Sequence, residues 1–432
     1  MNVEAVIVDA RERARAFWVG LSRERRATVV ALLAMIVGGV VLRCWNIGFP
    51  PRFTFDEHHF IPNARHYIVG DPDDNDHPPL GKLFIAISIL TFGDNPTGWR
   101  AASLIFGLQT IVVAAALARE LFEDRRAGWF AAAFFAADGF FLAYSRTALL
   151  DGSLACLVLW SVLAAVTART WRGVLVSAAL VGLAASVKWN GGFAVIPAAL
   201  AVWQMRRAPR WTILLFGFAA VVHLGLWFAA LPLSGQPASL HVLFKTVWDL
   251  VKHHVELGHR TNPLASSWWT WPLLVHPIVV KLADRGASKF YSASVGNPLL
   301  FVSATLAVLI AFVGAPLARV NAKVRARLEP LADPVLVRAA IVLAGGWFAL
   351  MAPWILGRGT YTFWYHYLPP YGLALVLVAG TIAHLERRFE RDVATYVLVA
   401  LALLIFFAPV WGEFRISEGS ANDRLIFPGW KP

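Results

Sequence analysis

The sequence predicts an all-α polytopic membrane protein, a bundle of about 11 transmembrane helices with two long external loops. Three observations predict it. Of the 432 residues, 58% are hydrophobic and only 15% are charged, and the mean hydropathy is +0.59. A soluble domain has nearer half apolar and a quarter charged residues. The apolar residues gather into runs of roughly 17–22, the length that spans a ~30 Å hydrocarbon core. The runs show no period-2 alternation, which argues against an outer-membrane barrel. A soluble enzyme, a disordered chain and a disulfide-rich secreted module are excluded on the same grounds. The two cysteines, Cys44 and Cys156, both lie in apolar runs, so neither a disulfide framework nor a zinc site is indicated.

In chain order, a polar N-terminal tail (1–26) carries Arg11, Arg13, Arg15, Arg23, Arg25 and Arg26, with no cleavable signal peptide evident. The expected spans are 27–46, 99–118, 128–145, 149–168, 174–188, 190–205, 211–232, 297–317, 336–356, 366–385 and 393–411. The apolar stretch 81–93 is too short to span and reads as an interfacial or buried helix. With the N-terminus inside, the short internal connectors hold Arg119, Arg125, Arg126, Arg169, Arg172, Arg319, Lys323, Arg325, Arg387 and Arg388. That is the positive-inside bias, and it accounts for the net charge of +12 without nucleic acid. The external side receives the loops 47–98 and 233–296. The chain thus divides into a membrane domain at 27–232, the second external loop at 233–296, a four-helix membrane domain at 297–411 and an external tail at 412–432. No internal repeat stands out.

Polar groups at membrane depth are costly and usually functional. This topology sends nearly all of them to the outer side, which points to an enzyme site opening outward. The acidic pair Asp56-Glu57, flanked by aromatics, is either a general base for an attacking hydroxyl or an exposed loop pair. In His77-Pro78-Pro79-Leu80-Gly81-Lys82 the prolines fix an extended entry and a helix starts after them. His77 and Lys82 then face a phosphate or an acceptor, or the motif is only a turn. The acidic stretch Asp71–Asp76 reads as a solvated turn more readily than as a divalent-ion loop. Arg43, Arg100, Arg146 and Lys188 sit at outer span ends. Each alone is explained by snorkelling, but four sharing a face with carboxylates suit an anionic headgroup. Asp138 and Asp151 either pair with these cations or serve the site. Trp268-Trp269-Thr270-Trp271-Pro272 reads as an interfacial belt or packing, with sugar stacking as the alternative. His253, His254 and His259 lack a metal-ligand signature. His366, between Tyr365 and Tyr367, belongs to the site or to the interface.

Together these elements resemble the protein O-mannosyltransferases, which use polyprenyl- or dolichyl-phosphate mannose and share the GT-C superfold. The resemblance rests on Arg43 with Asp56-Glu57 thirteen residues later, His77–Lys82 as HPPLGK, Gly98-Trp99-Arg100, Ser145-Arg146 with Leu149-Leu150-Asp151, Lys188-Trp189-Asn190-Gly191 and Tyr365–Pro369. It covers about Arg43 to Leu368. The 233–296 loop has no room for the large luminal domain of eukaryotic members, so the chain looks like the shorter bacterial form. The resemblance implies a GT-C-type bundle and transfer of mannose from a lipid-phosphate donor to Ser or Thr hydroxyls of secreted polypeptides. The displacement would invert the anomeric centre on the outer face of a bacterial cytoplasmic membrane. The implied partners are the lipid-linked donor, membrane lipids and polypeptides that the secretion machinery can deliver. Neither a cofactor nor a metal is implied. The implied catalytic residues are Asp56 and Glu57, with Arg43, His77, Lys82, Arg100, Arg146, Asp151, Lys188 and His366 binding donor or acceptor. Competing readings are transfer of another sugar to a lipid or glycan, as in arabinose transfer to lipid A, and a transporter or flippase.

Overall fold

The computed structural model describes Val6, Glu12, Arg15 and residues 18–206, 209–258, 260–285, 288–357 and 361–431. Each apolar stretch expected to span carries helix: α1 (Arg23–Cys44), α4 (Pro96–Phe122), α5 (Arg125–Ala136) with α6 (Gly139–Ser145), α7 (Asp151–Thr167), α8 (Trp171–Val187), α9 (Val195–Arg206), α10 (Thr212–Ala230), α12 (Pro298–Leu309, extended to Val320), α13 (Pro334–Leu356), α14 (Leu368–Leu385) and α15 (Glu390–Trp411). Among the described residues, seven helices are long and apolar enough to cross a membrane, and the bent pair α5–α6 makes an eighth. The other three, α7, α8 and α9, run 17, 17 and 12 residues. Of the expected eleven crossings, length and composition thus support seven, or eight if the bent pair is one span, among the described residues.

The sequence sets these boundaries locally. Ser22 caps α1 by accepting from the amide of Arg25. Asn95 caps α4 ahead of Pro96, which has no N–H to lose at the first helical position. Asp138 caps α6 by accepting from the amides of Phe140 and Phe141, at the point where α5 ends and the chain bends by 65°. Two glycines permit the close approaches around this break. A Cβ on Gly39 would sit 2.1 Å from the carbonyl oxygen of Ala136, and one on Gly139 would sit 2.1 Å from the Trp411 ring. Asp138 also accepts from the amide of Asn297 at 2.9 Å and from the Tyr371 hydroxyl at 2.8 Å. One buried carboxylate thus joins the two membrane halves.

Helix α7 is buried on nearly every side, packed among α4, α8, α9 and α14. At one end of the bundle, connectors expected inside meet in ion pairs: Arg25–Glu390 at 2.8 Å, Arg126–Glu386 at 3.2 Å and Arg387–Asp124 at 3.0 Å. The connectors grouped by charge bias are thus also grouped by packing.

The loops hold more structure than expected. The first contains α2 (Glu57–Val69) and α3 (Leu80–Phe92), and α3 starts directly after Pro78-Pro79. The second contains α11 (Leu240–Leu257) and an antiparallel hairpin, β1 (Val279–Arg285) with β2 (Ser288–Ala293). The C-terminal segment 412–431 is no free tail. Its Ile416 pairs with Lys289 of the hairpin, and Trp430 donates to the carbonyl of Leu274 at 2.6 Å.

Candidate active site

A cavity of about 670 Å³ opens at the end of the bundle opposite the connector ion pairs. That is within the usual range for a small-molecule site. Its walls come from the start of α2, the His77 turn, the 188–193 turn, the end of α11, the end of α13 and the 361–366 segment. Asp56, His77, Lys188 and His366 line it, so four of the ten expected site residues meet there although they span 310 positions of the chain.

Asp56 is half-buried, and among the described residues its carboxylate accepts no hydrogen bond. Burial pushes it up to about 6; the Lys188 charge pulls back only in part, and Asp151 adds to the rise. An unpaired carboxylate with that pKa is suited to accept a proton near neutrality. Lys188 donates to both carboxylate oxygens of Asp151, at 3.0 and 2.8 Å. Its ammonium lies 4.6 Å from the centre of the Tyr365 ring. Asp151 itself is buried behind Lys188 and holds it. Burial lowers His77 well below its ordinary value, and Lys188 lowers it further. His77 is thus a neutral hydrogen-bonding group rather than a cation for phosphate. His366 accepts from the amide of Phe363 through Nδ1 and stacks on Trp354 with ring centres 3.9 Å apart.

The remaining expected site residues do not line this cavity. Glu57 is fully buried. It accepts from Arg100 Nε at 2.8 Å and Nη2 at 2.9 Å, from the Thr54 amide and hydroxyl, and from the Ala148 amide. Burial pushes its pKa up, but the Arg100 hydrogen bonds and charge outweigh this and hold it below the ordinary carboxylate range. With its oxygens occupied, Glu57 has no capacity left for an acceptor. Arg100 also donates to the carbonyls of Ile47, Phe49, Pro50 and Arg52, so it clamps the loop that leads to Asp56. Arg43 donates to the carbonyls of Gly39, Ala136 and Phe135. The carbonyls of Phe135 and Ala136 are freed by the α5–α6 break. Arg146 donates to the carbonyls of Leu42 and Arg43 and pairs with Glu413. Lys82 is fully buried between Asp73 and Asp76. Asp73 and Asp76 of the acidic turn are thus counter-ions of Lys82, while Asp71 and Asp74 stay exposed as in a solvated turn, and Lys82 does not line the cavity.

Several lining residues were not expected as site residues. His254, Trp189 and His77 form an aromatic file, with ring centres 5.5 Å apart for Trp189–His254 and 5.8 Å for His77–His254. His254 sits at the end of α11, whose buried positions Leu243, Thr246 and Leu250 follow helical spacing; that pattern was the available signal. Trp271 is a wall support, fully buried and packed edge-on to Trp354, whereas Trp269 is exposed as a belt residue would be. His259 lies outside the described residues.

The family evidence agrees with this architecture. Three family profiles match: residues 33–99 and 76–231 as dolichyl-phosphate-mannose-protein mannosyltransferase, and 240–416 as the C-terminal four-transmembrane region of protein O-mannosyltransferase. The polyprenol-phosphate-mannose–protein mannosyltransferase of Mycolicibacterium smegmatis is 25% identical over 94% of both chains. Among solved structures, a chain of the Saccharomyces cerevisiae protein O-mannosyltransferase Pmt1–Pmt2 complex bound to its sugar donor superposes with a TM-score of 0.76 at 13% identity, covering 96% of this chain and 93% of that one. ArnT from Cupriavidus metallidurans bound to undecaprenyl phosphate superposes at 0.54 with 14% identity, covering 89% and 76%. The fold is thus the one these membrane transferases share, and with profiles matched along both halves the chain belongs to the protein O-mannosyltransferase family.

Proposed function

We propose that the protein transfers mannose from a polyprenyl-phosphate carrier to Ser or Thr hydroxyls of polypeptides, at a cavity on the outer face of a bacterial cytoplasmic membrane. The observation that carries this reading is an unpaired, half-buried Asp56 beside Lys188 in one cavity, in a chain of this family. In the reaction, Asp56 takes the proton of the acceptor hydroxyl as its oxygen attacks the anomeric carbon. The bond from that carbon to the phosphate oxygen breaks on the opposite side, so the sugar inverts and polyprenyl phosphate leaves. Lys188, oriented by Asp151, offsets the charge that develops on the phosphate. The neutral His77 and His254 offer hydrogen bonds to sugar or phosphate, and the aromatic walls cover the sugar faces. Helices α7, α8 and α9 complete the eleven crossings, the short lengths being met by local bilayer adaptation. The N-terminus is then inside, and secreted chains reach the cavity from the aqueous side.

The test is purified protein with polyprenyl-phosphate mannose and a Ser/Thr-rich peptide. Mannose appearing on the peptide is the expected product; its absence with folded protein, and transfer instead from another carrier-linked sugar or to a lipid acceptor, would shift the reading to the related lipid-modifying chemistry. In the same assay the rate is expected to rise with pH through about 6, as Asp56 loses its proton. A profile flat from about pH 5 to about pH 7 would remove Asp56 as the base. Lys188→Met is expected to lower turnover by about 10²-fold, the loss typical of one electrostatic stabiliser. Turnover within a few-fold of wild type would show that Lys188 does not face the leaving group.

A further inference from the structure

The hairpin and the C-terminal segment meet the base-bearing loop through buried charges that the mechanism above leaves unused. Lys281 of β1 and Glu413, just past the end of α15, are each almost fully buried and lie 3.0 Å apart. The Lys281 ammonium also donates to the carbonyl of Arg146 at 2.6 Å and to that of Phe49 at 3.4 Å. Glu413 in turn pairs with the Arg146 guanidinium at 3.3 Å. Phe49 is in the loop 47–56 that delivers Asp56, and its carbonyl is one of the four in that loop that Arg100 grips, at 3.0 Å. Arg52 of the same loop donates to the carbonyl of Leu282, and the Phe49 ring packs on Phe290 with centres 5.0 Å apart. The hairpin is held from behind, where Lys289 and Ile416 exchange both backbone hydrogen bonds, at 2.9 and 3.1 Å.

We propose that Lys281 and Glu413 are positioning residues for the transfer reaction: a buried ion-paired post, set from the C-terminal half of the chain, that fixes the loop carrying Asp56. The proposal rests on the reading of Asp56 as the base. From the N-terminal half the loop is secured through Arg100 and Glu57. Burying two charges is costly and by itself weak ground for stability. Here the cost is matched by a geometric task, because the ammonium contacts the loop at a carbonyl only seven residues before the base. A displacement of about 1 Å at a reacting group is enough to lose about 10²-fold in rate.

The test uses full-length Lys281→Met, the paired replacement Lys281→Met with Glu413→Gln, and the conservative Lys281→Arg. Removing Lys281 alone leaves Glu413 paired with Arg146, so the single variant is the one expected to keep the fold, whereas the paired variant also strips Arg146 of its carboxylate. Two readouts are taken on each: hydrogen exchange of the amides from 52 to 56, and transfer kinetics with the pH profile. The expected result for Lys281→Met is faster exchange confined to that loop, a fall in kcat of about 10²-fold with donor KM little changed, and a displaced acid limb, with much of the loss restored in Lys281→Arg. Faster loop exchange with an unaltered rate would overturn the proposal, as would a loss of rate with unaltered loop exchange or one that only tracks thermal stability. If the wild type transfers no mannose, or Asp56→Asn is as active as wild type, the functional reading fails instead. Exchange in the loop still decides whether the post holds it.

Discussion

Asp56→Asn is expected to lower mannose transfer by about 10²–10⁴-fold, the range for removing a positioned general base, while donor binding stays within a few-fold of wild type. Asparagine matches the shape of aspartate and keeps the cavity lining. It cannot take the hydroxyl proton. The same variant is expected to be at least as stable as wild type at neutral pH. Burial raises the folded pKa of Asp56 to about 6 from an ordinary 3.8. A group raised in the folded state contributes stability below its unfolded pKa, and that contribution is lost as pH rises through the folded one. At neutral pH the ionised carboxylate therefore costs folding on the order of 1–3 kcal/mol, which the neutral amide avoids. Initial rates, donor titration and thermal unfolding in detergent, run together, check all three. Activity close to wild type would move the base to another group, and a large drop in melting temperature would mean that Asp56 is structural.

Glu57→Ala is expected to behave in the opposite way, losing about 3–5 kcal/mol of stability because it strands the Arg100 guanidinium as a buried charge without its counter-ion. The amides of Thr54 and Ala148 lose their acceptor as well. Loss of transfer then follows from loss of the loop, and thermal unfolding reports it before any substrate is added. A Glu57→Ala protein that melts like wild type yet transfers nothing would restore Glu57 to the chemistry. These two neighbours in sequence thus differ in kind. Asp56 is half-buried and its oxygens accept no hydrogen bond among the described residues, and Glu57 is fully buried with its oxygens saturated.

Much of the site was legible because its residue types are rare in apolar surroundings. Charges at span ends stand out, and alternating the spans brings Asp56, His77, Lys188 and His366 to one side before any coordinates are known. The helix start at Leu80 was legible from the two prolines before it. The role of the cations was not. Arg43 and Arg146 look like headgroup ligands on a helical plot, yet each bonds to backbone carbonyls. The Phe135 and Ala136 carbonyls that Arg43 takes are left open by the α5–α6 break, and that break is visible only as Asp138-Gly139 in an otherwise continuous apolar run. Lys82 was drawn into its own acidic turn, because Asp73 and Asp76 lie a few residues away and reach it first. The contribution of α11 was missed because its signal is a modest helical spacing within a loop.

By itself the sequence determined the membrane class, the placement of helix along the chain, the face on which the polar groups collect and the family motifs that name the chemistry. These depend on composition and on short-range spacing, which a linear chain carries in full. Only the tertiary structure decided which charges face the cavity and which hold the scaffold, and it alone joined Lys281 and Glu413 to a loop more than 200 positions earlier. The reason is physical. A buried charge binds whichever partner packing brings within about 3 Å, and for Arg146 and Lys281 that partner lies in the other half of the sequence.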